Sequence, residues 1–217
     1  MKIFIIAMLG VGMAVCVCKG ETMGNPPPIA IWHDSYGYQV QLVDGNLTTQ
    51  GPQLIVAIWD SGVILWSTNA IYGGEPYFCG NVENHNSVHE LLRSWEKMGW
   101  LSAKYSCGNV GPGAKYIGIF ISTGTNTLYT QSWHEIFEQN TNLVARSSGV
   151  TALDGRNRET VLQNDKPEYQ QYRAAWTEIR AQVNALLPPI GDAVEDVSIK
   201  IIKGRPIITF SKKESAR

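Results

Sequence analysis

The clearest pattern along the chain is Leu54 to Ser67 (LIVAIWDSGVILWS), two apolar runs separated by Asp60-Ser61-Gly62. A three-residue loop ending in glycine predicts a hairpin built on a type I turn and a bulge, because glycine accepts the left-handed backbone the bulge needs. Leu54, Val56 and Ile58 would share one face, and Ile55, Ala57 and Trp59 the other. Strands apolar on both faces belong inside a sheet covered on two sides, so this hairpin is placed at the centre of the fold. Ile29 to Trp32 begins an earlier strand, His33 to Gly37 reads as a turn, and Tyr38 to Val43 alternates as a half-buried strand. A second hairpin is expected from Tyr116–Ser122 and Leu128–Ser132. A last pair is expected from Val197–Ile201 and Ile207–Phe210, joined through Gly204-Arg205.

Two stretches carry the helical period instead. Val88, Leu91, Leu92, Trp95 and Met98 make one apolar stripe, so a helix is predicted over about 88–98. Ser87 to Glu90 has the form of a capping box, and Gly99 that of a C-terminal cap. Tyr169, Tyr172, Trp176, Ile179, Val183, Leu186 and Leu187 predict a longer helix over 167–187, opened by Pro167 and closed by Pro188-Pro189. Gln170, Arg173, Glu178 and Gln182 would face solvent, and either this helix or a sheet edge could present a binding surface. Residues 134–146 are expected to hold a short helix and 147–165 a polar loop. The order is strands, helix, strands, helix, strands, which predicts an α+β fold with a mainly antiparallel sheet and two principal amphipathic helices.

The first residues change the picture. Lys2 precedes an unbroken run of apolar or small residues, Ile3 to Cys18. The run is short of the ~20 residues of a membrane-spanning helix and suits the core of a secretory signal peptide. The expected organisation is a signal peptide over 1–20, a proline-rich linker over 21–28, one α+β domain over 29–211 and a charged tail over 212–217. No further run is long enough to span a membrane once the signal is removed. The product is expected outside the cytoplasm: secreted, periplasmic or in the cell envelope. Val15 and Val17 precede Cys16 and Cys18, a poor context for lipid attachment, so no lipid anchor is expected. In an oxidising compartment Cys79 and Cys107 are expected to pair, closing a loop of about 28 residues and stabilising the fold by about 3.5 kcal/mol.

Formal net charge is -1, and 17% of residues are charged. A packed domain fits that composition, and a nucleic-acid partner, which needs a basic face, does not. Basic residues do gather near the end: Lys200, Lys203, Arg205, Lys212, Lys213 and Arg217. Candidate chemistry is sparse. His85 and His89 are four apart with Glu83 nearby, yet the capping box starts the helix after His85, and the shared face a metal site needs is lost. His134-Glu135 lacks the second histidine of a zinc motif. His33-Asp34 carries no nucleophile elbow beside it. Gly108 to Gly113 has neither the lysine of a P-loop nor dinucleotide-binding spacing. No cofactor is expected, and no catalytic, cofactor or metal residue is assigned. Of seven tryptophans, Trp59, Trp66, Trp95 and Trp176 lie on apolar stripes and belong to the core. Trp32, Trp100 and Trp133 are left as candidates to stack on sugars.

Residues 54–101 combine the Asp-x-Gly hairpin, Tyr77-Phe78-Cys79-Gly80, the capped helix with Leu91-Leu92, and Gly99-Trp100-Leu101. This stretch resembles a loose group of uncharacterised bacterial exported proteins. The resemblance implies a bacterial, exported, non-enzymatic protein and carries no catalytic residues with it. The expected function is a non-catalytic domain that binds a macromolecular or surface partner in the envelope. The rival readings are an extracytoplasmic hydrolase, metal-assisted through His85, His89 or Glu83, and a carbohydrate-binding module.

Overall fold

A computed structural model describes residues 26–35, 39–43, 46–102, 114–139, 142–153 and 158–212, with backbone alone for 39–43, 46–50 and 212. The strands are β1 (Ile29–Ser35), β2 (Gln39–Val43), β3 (Asn46–Gln50), β4 (Gln53–Ile58), β5 (Val63–Ser67) and β6 (Tyr77–Asn81). They continue with β7 (Lys115–Ser122), β8 (Thr127–Ser132), β9 (Leu143–Arg146), β10 (Gly149–Ala152), β11 (Asp192–Ile202) and β12 (Arg205–Lys212). The helices are α1 (Asn86–Lys97), α2 (His134–Glu138), α3 (Arg158–Gln163) and α4 (Pro167–Ala185). Eight strands form one antiparallel sheet in the order β12-β11-β6-β5-β4-β1-β7-β8, and β2-β3 and β9-β10 pair separately. The fold is α+β, and the β4-β5 hairpin stands at the centre of the large sheet, as its two-faced apolarity required.

The reason for two apolar faces is a core on each side. Ile29, Ile31, Ile58, Ile64 and Trp66 join Val88, Leu92 and Trp95 of α1 and Tyr169, Trp176 and Val183 of α4 in one cluster. Ala30, Trp32, Ala57, Leu65, Cys79 and Phe120 face the other way, where they meet Val194, Ile199 and Ile208 of β11 and β12. Helices therefore cover one face, and the sheet curls over itself to cover the other. The curl brings the β11-β12 turn to β8: a Cβ added to Gly204 would lie 3.6 Å from the Tyr129 ring.

Two glycines make this packing possible. Gly62 sits at φ 83°, and its N–H donates to the Trp59 carbonyl, closing the β4-β5 turn. Gly118 lies under Trp32, and a Cβ there would stand 2.3 Å from the indole. Trp32 is fully buried, and the Tyr129 ring lies tilted against it at 5.9 Å, which leaves it little room to move. Gly118→Ala is expected to cost about 1–3 kcal/mol, the range for overpacking. At roughly 2–4 °C per kcal/mol for a chain of this size, thermal melting should register it. A melting temperature equal to the parent's would contradict the ring-over-glycine packing.

Several sequence expectations need correction. His33 and Asp34 are not in a turn, because β1 runs on to Ser35 in register with β7. The Ser87 capping box does not form: α1 starts at Asn86 with His85 as N-cap and no side-chain cap bond. Asn84 serves that end instead, its Oδ1 accepting from Asn86 N–H and its carbonyl from Ser87 N–H. The helix expected over 134–146 stops at Glu138, and β9 follows. The stretch read as a polar loop contains β10, which pairs back onto β9, and α3. That polar sequence is organised by a buried carboxylate: Asp165 accepts from the backbone and hydroxyl of Ser147 and from Lys166 N–H.

Candidate functional site

The strongest periodic element, α4, is seated on a polar network. Along β8 every second residue points at the helices, and the register with Ile117, Ile119 and Ile121 puts Ser132, Thr130 and Leu128 on that side. The Thr130 hydroxyl bonds the Tyr172 hydroxyl at 2.8 Å. Ser132 Oγ bonds His134 Nδ1, and the His134 ring stands edge-on to Trp176 at 5.1 Å. Glu135 Oε1 accepts from Trp176 Nε1 and from Arg180 Nε, the latter at 3.0 Å. Arg180 Nη2 donates to the Ala70 carbonyl at 2.6 Å, and Arg173 pairs with Glu138.

A serine bonded to a histidine invites a nucleophilic reading, and the geometry refuses it. Ser132 is fully buried and His134 is 2% exposed, so neither can meet a substrate. Burial, then the charges of Arg173 and Arg180, press the His134 pKa down to about 3. The imidazole is thus neutral, and its work is to hold α2 against α4. Sequence reasoning missed the Glu135–Arg180 pair. Arg180 lies four residues after Trp176 and three before Val183, squarely on the apolar stripe, and a charge in that position was the available signal.

His33 and Asp34 are neighbours in a strand and so project to opposite faces. His33 packs edge-on to Tyr72 at 5.3 Å, and burial with the Lys115 charge lowers its pKa to about 4. Asp34 accepts from Tyr116 OH at 3.0 Å, and burial raises its pKa. The two side chains do not form a catalytic pair.

The open features lie around α1. Trp95 Nε1 donates to Gln182 Oε1 at 2.7 Å, locking α1 to α4. Gly99, at φ 75°, ends α1 and drops Trp100 into a short helical turn, Trp100–Ser102. Between this turn and α4 is a groove of about 890 Å³. Met98, Trp100 and Tyr172 supply apolar surface, Ala174 and Ala175 leave the hollow, and Glu168, Gln171 and Glu178 stand along it. Met98 is 55% exposed, unusual for so large an apolar side chain. A second cleft, about 770 Å³, lies over the strand ends and takes in Asp60, His89, Arg93, Glu96 and Arg205.

The structure disperses most of the residues singled out in the sequence. Glu83 and His85 are exposed before α1, and His89 lines the strand-end cleft. His33 and His134 are buried at separate sites. Among the described residues, no group of three His, Cys, Asp or Glu is placed to hold a metal ion. Trp32 and Trp133 are 0% and 1% exposed, which closes them to any sugar and corrects that expectation. Both lie outside any obvious apolar stripe in the sequence, and it is the sheet's curl and α2 that bury them. Trp100 alone of the three reaches an open groove. Cys79 is fully buried in the core inside the curl, and Cys107 lies outside the described residues, as does the glycine-rich stretch 108–113. No helix among the described residues is long and apolar enough to cross a membrane. Compared with known proteins, the chain matches no family model, no curated protein and no solved structure.

Proposed function

We propose that this chain is an exported, non-catalytic binding domain whose partner lies in the groove between the Trp100–Ser102 turn and α4. The observation that carries the reading is the groove itself. It combines an exposed methionine and a half-buried tryptophan with a hollow made by two alanines, on helices locked together by the Trp95–Gln182 bond. Preformed concave apolar surface with a few polar groups is the usual form of a binding site. Glu168 and Glu178 favour a segment whose apolar side chains are flanked by lysine or arginine. The apolar leader at residues 3–18 supports export.

The test fills the hollow without touching the core. Ala175→Trp is expected to weaken binding of an apolar, lysine-flanked peptide at least about tenfold, ~1.4 kcal/mol, while the melting temperature stays put. Unchanged binding in that variant, or absence of binding in the parent, would reject the groove. A second reading has its own support: Trp100 beside Gln171, Glu168 and Glu178 offers an aromatic face with planar polar groups, as sugar sites do. Titration with soluble oligosaccharides, read by tryptophan emission and repeated on Trp100→Ala, separates the two.

A further inference from the structure

The end of the β11-β12 hairpin has a face that the core does not use. Ile199 pairs with Ile208 and Ile201 with Pro206, and these point into the curl. The alternate pairs, Lys200 with Ile207 and Ile202 with Arg205, therefore point outward. They form a two-by-two checkerboard, the isoleucines on one diagonal and the cations on the other. Ile202 is 51% exposed and Ile207 47%, among the most exposed large apolar side chains described. Lys203 adds a third cation at the turn. From Val197 to Lys212 the sequence contains no aspartate or glutamate, in a chain whose net charge is -1.

The turn strengthens the case. Lys203 has φ 50° and Gly204 φ 76°, the geometry of a two-residue type I′ hairpin. Glycine, asparagine or aspartate fits the first of these positions with little strain, and a long side chain does not. A lysine is nevertheless held there, at the tip between the two exposed isoleucines.

We infer that this hairpin end docks on the anionic headgroups of a lipid bilayer, with Ile202 and Ile207 entering the interface and Lys200, Lys203 and Arg205 meeting the phosphates. Charge complementarity selects an anionic surface. The patch is two cross-strand pairs and a turn, far below the roughly 20–30 residues a side of a stable protein interface. A bilayer needs no such complementary shape, and accepts isolated apolar side chains flanked by cations. Arg205 also borders the strand-end cleft. The carboxylates there are Asp60 and Glu96, and Glu96 is already engaged by Thr123, Thr125 and Asn126. This docking rests on the exported reading proposed above and does not use the groove between the Trp100–Ser102 turn and α4.

The experiment is co-flotation of the full chain with vesicles of phosphatidylcholine alone or mixed with phosphatidylglycerol. The apolar run at residues 3–18 would carry the chain to both, so the readout is the ratio of anionic to zwitterionic binding and its dependence on the hairpin. Lys200→Gln, Lys203→Gly and Arg205→Gln should each lower that ratio about five-fold. Added salt should lower it further. Ile202→Ser with Ile207→Ser should weaken binding to anionic vesicles and leave its salt dependence intact. Overturning results are a ratio of one in the parent, a ratio unmoved by the three charge variants, or isoleucine variants that bind like the parent. Equally strong capture by soluble polyglutamate would assign the patch to an acidic polypeptide and reject the bilayer. Ala175→Trp should leave the vesicle ratio unchanged, so failure of the groove and failure of the hairpin can be told apart.

Discussion

Glu135→Ala is expected to destabilise the protein by about 2–3 kcal/mol, somewhat below the cost of breaking a fully buried ion pair, because the Glu135 side chain keeps 22% of its surface in solvent while Arg180 is buried. Arg180 is 8% exposed, and its Nη1 already has no partner among the described residues. Its remaining bond, to the Ala70 carbonyl, does not balance its charge. The substitution also strips the acceptor from Trp176 Nε1, deep in the α4 seat. A loss of that size is a large share of the 5–15 kcal/mol that holds an ordinary domain together. Urea unfolding should therefore show a midpoint shift that no surface substitution produces. Where Glu135→Ala is too unstable to purify, the pair Glu135→Ala with Arg180→Met keeps the question open to measurement. Removing both charges should recover much of the loss, giving a clear interaction energy in the double-mutant cycle. Losses that simply add, or a single variant within 1 kcal/mol of the parent by the scale of ordinary surface changes, would mean the pair does not seat α4.

Stability should also fall as pH drops from about 6.5 toward 4.5, by about 2–3 kcal/mol for each of His33 and His134 at the usual 1.4 kcal/mol per unit. Both histidines have folded pKa values below the ordinary 6.5, about 4 and about 3. The unfolded chain therefore binds protons that the native state refuses, and acid favours unfolding. Stability is fully present above the unfolded value and is lost through this window. Burial is the first cause at both sites; Lys115 adds to it at His33, and Arg173 and Arg180 at His134. Asp34 and Glu138 have raised values from burial and oppose the trend where they take up protons. Burial pushes the Asp165 carboxyl up, but its bonds to Ser147 and Lys166 together outweigh that and leave its pKa below the usual value, so it adds to the acid loss. Urea midpoints at several pH values between 7 and 4.5 would measure the slope. His33→Asn should remove about half of it. A flat profile, or a slope unchanged in that variant, would show that these rings are accessible to protons in the native state.

The candidate groove was only half visible in sequence. Gly99 as the end of α1 and the apolar stripes on α1 and α4 could be read from spacing; of the four outward residues expected on α4, Glu178 lines the groove, while Arg173 pairs with Glu138 and Gln182 with Trp95. That Met98 and Trp100 would stand open against Ala174 and Ala175 could not be read, since it depends on how two helices 70 residues apart lie against each other. The capping box failed for a related reason. Ser87 and Glu90 have the right types and spacing, but the Asn84 carbonyl takes the Ser87 N–H that Glu90 would have capped, and the Asn84 side chain caps Asn86 N–H one residue earlier. The hairpin patch lay between these cases. Alternation marked the strands and the cluster of cations marked the charge, while exposure of Ile202 and Ile207 waited on the curl.

Sequence periodicity by itself determined the element types, the central hairpin around Gly62, the span of α4 and the α+β class. Those are short-range matters, set by which residues fall on one side of a helix or strand. Only the tertiary structure decided which apolar faces found cover. The Ser132–His134 pair became a structural bond once α4 closed over it. Trp32 became core once the sheet curled and Gly118 made room for its ring. Trp100, Ile202 and Ile207 were left outside. Whether a given side chain reaches solvent depends on surfaces brought together from distant parts of the chain, and no local pattern encodes that.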